Sequence, residues 1–208
     1  MGGWTSYDGM AVSLPLDNID TDQLIPARFM SAPRRAGYGG YLLHDLRRDR
    51  DGKLLPDFPL NRHPGVGVLI TGRNFGSGSS REAAVYALVD AGIRVVIAQS
   101  FGDIFSANAV NNGLLPARVS SAEIDILSGK AGAEPARIYV DLAAGEIVLG
   151  DVRTVFSLDE TWRTKLMNGW DDIDLTLHHA NDIAQFRATR KTAAPWAWLQ
   201  QAASGATD

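Results

Sequence analysis

The chain of 208 residues contains no cysteine. It therefore cannot by itself hold an ordinary cysteine-ligated iron–sulfur cluster, and its composition fits a reducing, cytoplasmic setting. Histidine is scarce, with four residues. His44 and His63 show no metal-ligand spacing, and the adjacent His178 and His179 point in different directions on a helix, so no metal site is expected. No apolar run approaches the roughly 20 residues of a membrane span. The N-terminal stretch lacks the basic and apolar regions of a signal peptide, and the loose myristoylation pattern Met1-Gly2-Gly3-Trp4-Thr5-Ser6 is followed by nothing basic. Positive charge is not in excess either. The formal net charge of −4 argues against broad binding to nucleic acid or membrane surfaces.

What is present is enough for a globular domain without covalent staples. A chain of this length buries roughly 70% of its unfolded surface, and 45% hydrophobic residues is ordinary for that class. The sequence is organised around Gly72-Arg73-Asn74-Phe75-Gly76-Ser77-Gly78-Ser79-Ser80-Arg81-Glu82. Val66 to Thr71 ahead of it reads as a buried strand. Ser80 to Ala91 behind it reads as a helix, with Ala83, Ala84, Ala87, Leu88 and Ala91 at helical spacing and Gly92 as its stop. Ile93 to Ala98 reads as a second buried strand. The glycines and serines thus lie between a strand's carboxyl end and a helix N-terminus, the crevice where α/β sheets bind ligands and where backbone amides favour an anion. Arg81 has the fork to hold a carboxylate bidentately. Ser79-x-x-Glu82 also spells a capping box, so the same hydroxyl serves either a helix end or a site. The loop has no lysine for a P-loop, Arg81 in place of the third dinucleotide-loop glycine, and no Gly-x-Ser-x-Gly elbow.

Elsewhere, Met10 to Leu16 reads as a first strand, followed by a polar turn over Asp17 to Asp22 whose side chains bond to local backbone. Pro26 to Tyr41 is broken by proline and glycine and reads as a mobile loop. Tyr41 to Arg47 is expected as a short helix and residues 48–64 as a polar excursion. Helices are expected over Phe101 to Asn112 and Ala122 to Ser128, with a strand at Leu114 to Ala117 between them. Three short antiparallel strands follow at Arg137 to Asp141, Glu146 to Leu149 and Arg153 to Phe156. Ser157-x-x-Glu160 is read as a second capping box for a helix stopping at Asn168-Gly169, and His178 to Lys191 as a last helix. Together these make a mixed sheet flanked by helices in one domain, residues 1–191. The alanine-rich tail, residues 192–208, is expected to be loose, with Trp196 and Trp198 available to dock.

Gly76 to Glu82 closely resembles the Gly-x-Gly-Ser-Ser-Arg-Glu signature of the aconitase superfamily's swivelling domain. Asp17 to Pro26, Ser100 to Phe105, Asn111 to Pro116 and Leu166 to His179 are similar to segments of the 3-isopropylmalate dehydratase small-subunit family. The resemblance spans about Asp17 to Arg187. It implies the three-layer swivelling β/β/α fold and a hydro-lyase that isomerises 2-isopropylmalate and 3-isopropylmalate by dehydration and rehydration in leucine biosynthesis. It further implies a 4Fe–4S cluster carried by a large partner subunit, without which this chain is inactive. By position, the resemblance makes Ser79 the general base and places Asp22 in the active site as a second catalytic residue. Ser80, Arg81 and Thr21 match substrate-binding positions. Gln23 stands where aconitase has histidine, and Ser77 where many bacterial relatives have cysteine, a non-catalytic position. Specificity falls to the loop after Ile25, where Phe29-Met30-Ser31-Ala32 suits an isopropyl group, while Arg28, Arg34 and Arg35 are the arginines able to turn inward. A sister activity on citraconate, methylmalate or homoaconitate stays open. An RNA-binding role is opposed by the acidic balance and the short length.

Overall fold

In a computed structural model, residues 2–132 and 134–198 are described. Two compact units divide between Asp171 and Asp172.

The first unit is built on one seven-stranded sheet of order β4-β3-β2-β1-β5-β6-β7. Strands β1 (Ser6–Leu14), β2 (Val68–Thr71), β3 (Val95–Ala98) and β4 (Leu115–Arg118) run parallel. Strands β5 (Ala136–Asp141), β6 (Glu146–Leu149) and β7 (Val152–Val155) continue from β1 as an antiparallel meander, as the short spacings of the sequence predict. The sheet is mixed and curled: beyond β7, Ser157 bridges to Arg118 of β4, its amide donating to the Arg118 carbonyl at 2.8 Å.

The parallel strands are apolar on both faces because both are covered. Val12, Leu69 and Val96 enter one core, with Ala84, Leu88 and Phe105 from helices α3 (Glu82–Asp90) and α4 (Asp103–Asn111). Ala11, Val68, Ile70, Val95 and Ile97 enter the other. That core is closed by Ile124 and Leu127 of α5 (Ser121–Ala131), by Ile138 and Ile147 of the meander, and by Leu166 of α6 (Glu160–Asn168). One strand set between two cores, helices on one side and helices plus meander on the other, is the expected layered fold.

Several local expectations are corrected. The first strand begins at Ser6. Residues 41–47 hold no α-helix, only a 3-10 turn at Gly39–Tyr41 and further turns, and one helical turn lies within the excursion at Pro59–Arg62. Helix α6 is capped by Asp159, whose side chain accepts from the Thr161 and Trp162 amides, not by Ser157. Ser157 lies two residues ahead of that cap, and its amide belongs to the sheet bridge. Gly169, in the left-handed region at φ 71°, does end this helix.

The second unit comprises α7 (Asp172–His178) and α8 (Ala180–Ala193), so the single last helix expected from His178 is two. Ala194 is buried, Trp196 is exposed, and the Arg187 guanidinium lies 5.9 Å from the Trp198 ring centre. The rest of the expected loose tail, residues 199–208, lies outside the described residues. No described helix is long and apolar enough to cross a membrane.

Candidate active site

Loops leaving the carboxyl ends of β1, β2 and β3 are stitched together by backbone hydrogen bonds. The Asn18 amide donates to the Arg73 carbonyl at 2.8 Å, Gly76 to Ile19 at 2.7 Å and Thr21 to Ser77 at 2.9 Å. On the other side Phe75 donates to Ser100 at 3.0 Å and Gly102 to Phe75 at 2.9 Å. Side chains add to this. The Arg73 amide and Nε donate to the two Asp17 carboxylate oxygens at 2.9 and 3.0 Å, so Asp17 serves backbone 56 residues away instead of its own turn. Phe75 is fully buried edge-on against Phe101 and Phe105, ring centres 6.2 and 5.3 Å away.

Glycine is required within this weave, most plainly at Gly76. At Gly76 φ is 70°, and a Cβ there would lie 2.2 Å from the Phe105 ring. The absent side chain lets the loop lie flat on the aromatic cluster.

Asp20, Thr21, Asp22 and Gln23 form a capping box that sequence reading missed. The Gln23 amide donates to Asp20 Oδ1 at 2.7 Å and the Asp20 amide to Gln23 Oε1 at 3.0 Å. The signal was available as Asp-x-x-Gln. This box opens the single turn α1 (Thr21–Leu24) and fixes the two residues inside it. Thr21 is 2% exposed, and its hydroxyl donates to the Ser79 carbonyl at 2.9 Å. Asp22 is exposed and forms an ion pair with Arg81, whose side chain is only 19% accessible.

Five expected site residues are therefore gathered: Thr21 and Asp22 on one loop, and Ser79, Ser80 and Arg81 on the next. Helix α3 is capped by the extended Arg81 backbone with no side-chain cap bond, and Ser79 and Ser80 are exposed. The capping reading of Ser79 is thereby removed, because Thr21 holds its carbonyl in the loop weave and the helix starts two residues later than expected. Ser79 is left exposed on the loop that also carries Arg81, whose guanidinium has spent one nitrogen on Asp22 and keeps further donors for a planar anion. Glu82, at the start of α3, accepts from Asn112 Nδ2 at 2.9 Å.

The expected specificity residues lie apart from this cluster. Arg34 pairs bidentately with Asp90 at 2.6 and 3.0 Å and lies over the Tyr86 ring. Asp90 ends α3 whereas Arg81 caps its start, so the Arg34 anchor stands about one helix length away, roughly 13 Å for nine residues. Arg28 pairs with Asp45 and lies 4.6 Å from the Phe29 ring centre. That guanidinium, with His44, holds the Asp45 carboxyl at about 2, below its ordinary 3.8. Phe29 turns inward and stacks on Tyr41 at 4.4 Å, Ala32 also packs on the core, and Met30 is 41% exposed. Arg35 is exposed and has no ion-pair partner among the described residues.

Comparison with known proteins agrees with this architecture. Residues 1–122 match the model of the aconitase C-terminal domain, and residues 172–197 match the model of the C-terminal domain of the 3-isopropylmalate dehydratase small subunit. The 3-isopropylmalate dehydratase small subunit of Shouchella clausii is 46% identical over 182 residues, 86% of this chain and 92% of that one. That of Caulobacter vibrioides is 42% identical over 199 residues, 94% and 98% of the two chains. The solved structure of 3-isopropylmalate dehydratase from Methanocaldococcus jannaschii superposes with a TM-score of 0.64 at 25% identity, covering 88% of this chain and 99% of its own. The chain thus belongs to the 3-isopropylmalate dehydratase small-subunit family, within the aconitase superfamily.

Proposed function

We propose that this chain is the small subunit of a hydro-lyase that interconverts 2-isopropylmalate and 3-isopropylmalate in leucine biosynthesis, acting with a large subunit that carries a 4Fe–4S cluster. The observation that supports it most is the pairing of Asp22 with Arg81, on the loop that carries an exposed Ser79 free of a capping role. The donor set here does not fit the cluster itself. The sequence has no cysteine, and among the described residues no group of three or more His, Asp or Glu could hold a metal. The cluster is assigned to the partner, and only the steps of this chain's own residues are derived.

The Ser79 hydroxyl is the proton acceptor for the substrate C–H. Serine is too weak an acid to ionise unaided, and the neighbouring Arg81 guanidinium lowers the cost of the alkoxide. Arg81, with Ser80, holds a substrate carboxylate through the donors that Asp22 leaves unused. Asp22 orients the Arg81 fork. Thr21 is buried, so its part is to fix the Ser79 backbone, not to touch substrate.

A sister activity on a substrate with a further carboxylate is favoured by one feature, the exposed Arg35 in the specificity loop, unpaired among the described residues. The test is anaerobic mixing with the cluster-bearing large subunit of a relative, assayed on isopropylmalate, citramalate and homocitrate. The chain alone is expected to be inactive and the complex to prefer isopropylmalate, by about 1–3 kcal/mol in transition-state binding for an apolar pocket difference. Turnover by the chain alone would overturn the two-subunit reading. A higher kcat/KM for homocitrate would move the assignment to the sister activity.

A further inference from the structure

A cavity of about 170 Å³ is walled by Leu42, Leu60, Val66 and Ile93 and reached by Arg47 and His63. At roughly 30 Å³ per water it has room for five or six waters. Two of its polar groups are incompletely satisfied. The Arg47 Nε donates to Asn61 Oδ1 at 2.7 Å and Nη1 to the Leu42 carbonyl at 3.3 Å. Among the described residues, Nη2 finds no hydrogen-bond acceptor and no carboxylate pairs with this guanidinium. In contrast, Arg28, Arg34, Arg62, Arg73, Arg81 and Arg137 each hold one. Partial burial, helped by the charge of Arg48, pushes the Arg47 pKa below its ordinary value. The His63 Nε2 is also buried without a hydrogen bond. Its nearest carboxylate, Glu134, stands 3.5 Å away and is already paired with Arg62 at 2.6 Å.

The half-buried Arg47 guanidinium has donors to spare on the cavity side, and a buried polar atom such as His63 Nε2 is normally bonded. An anion in the cavity would satisfy both groups at once, and the four aliphatic walls call for an apolar body on that anion. We infer that this cavity is a binding site for a small aliphatic carboxylate, with the carboxylate on Arg47 and His63 and the alkyl group against Leu42, Leu60, Val66 and Ile93. The site is separate from the Ser79 cluster and does not depend on the activity assigned to it. Gly39 and Ala91 also line the cavity. They flank Asp90, which anchors Arg34 and the Tyr38 amide, so an occupant would brace the base of the specificity loop.

The probe is isovalerate (3-methylbutanoate), titrated into the isotopically labelled full chain while amide resonances are followed. Saturable shifts centred on Leu42, Val66 and Ile93 are expected, with a dissociation constant in the millimolar range or tighter. The neutral amide, 3-methylbutanamide, should bind at least about tenfold more weakly, since a charge-assisted hydrogen bond is worth that much. Arg47→Gln should weaken isovalerate by a similar factor. Should that variant fail to fold, His63→Leu tests the same contact from the other wall, and Leu60→Phe should exclude the ligand by filling the cavity. Absence of saturable shifts overturns the site. So does equal binding of acid and amide, and tighter binding of inorganic phosphate overturns the aliphatic assignment.

Discussion

Two loops of this chain are built in opposite ways. The segment from Gly72 to Arg81 is held by backbone hydrogen bonds to partners far away in sequence, the Asn18, Ile19, Thr21 and Ser100 main chain, and it rests on a buried aromatic cluster. The segment from Pro26 to Gly37 bonds its backbone to itself, Phe29 to Pro26, Met30 to Ala27, Ala36 to Pro33 and Gly37 to Arg34. Beyond the inward-facing Phe29 and Ala32, side chains tie it down: the exposed pair Arg28–Asp45, the bidentate pair Arg34–Asp90, and the Tyr38 hydroxyl donating to the Ala32 carbonyl at 2.9 Å. Backbone ladders between loops tolerate no rearrangement without loss of several bonds at once. Exposed ion pairs contribute about 0–1 kcal/mol each and can be exchanged. The first arrangement suits groups that move protons and need a fixed geometry. The second suits a segment that yields to a substrate.

The sharpest test of the rigid loop is Ser79→Ala in the assembled complex. Since Ser79 caps nothing, stability should stay within about 0.5 kcal/mol by urea unfolding, while kcat falls at least about a hundredfold through loss of the base. A stability loss near 1 kcal/mol with kcat retained would restore the capping role. Gly76→Ala attacks the same loop from beneath. The strained φ and the overlap with Phe105 should cost about 2–4 kcal/mol of stability, read by chemical denaturation of the isolated chain. Arg81→Lys keeps the charge but loses the fork, so KM should rise about tenfold or more with kcat moving less. Equal falls in kcat and kcat/KM would place Arg81 at the reacting carbon instead.

For the yielding loop, Asp90→Asn removes the anchor shared by Arg34 and the Tyr38 amide. A loss of about 1–2 kcal/mol is expected, concentrated in faster hydrogen exchange at Tyr38 and leaving the Thr21 amide protected. Uniform acceleration across both loops would break the contrast between them. The smallest effect is on pH. The Asp45 carboxyl is held at about 2, from 3.8, so the Arg28 link is intact above roughly pH 4 and is lost as pH falls through about 2. The carboxyl carbon of Asp45, followed by NMR, should titrate near 2, and Arg28→Gln should move that midpoint up.

The legible and illegible parts of the fold divide along similar lines. The apolar strands, the alanine-spaced α3 and the stop at Gly92 follow from periodicity and local turn chemistry, which a short window contains. The site loop is legible as a family signature; the contacts that join it to the first loop, Thr21 to the Ser79 carbonyl and Asp22 to Arg81, are not. What escaped depends on distant partners. The start of α3 is displaced to Glu82 because Thr21, 58 residues away, takes the Ser79 carbonyl. The place of Arg34 depends on Asp90, 56 residues on. Helix α7 was missed because Asp172 to Leu177 alternates polar and apolar residues, the period of a strand.

The closure of the sheet by the Arg118–Ser157 bridge bears on the life of the chain before assembly. An outer strand with free amides and carbonyls is a template on which further chains can stack. Here β4 carries Pro116. The Leu115 amide points to Arg94 on the β3 side, so position 116 faces outward and offers no N–H. Two residues later the backbone is occupied by Ser157. A subunit that awaits a larger partner is thus guarded along this edge against polymerising with its own kind.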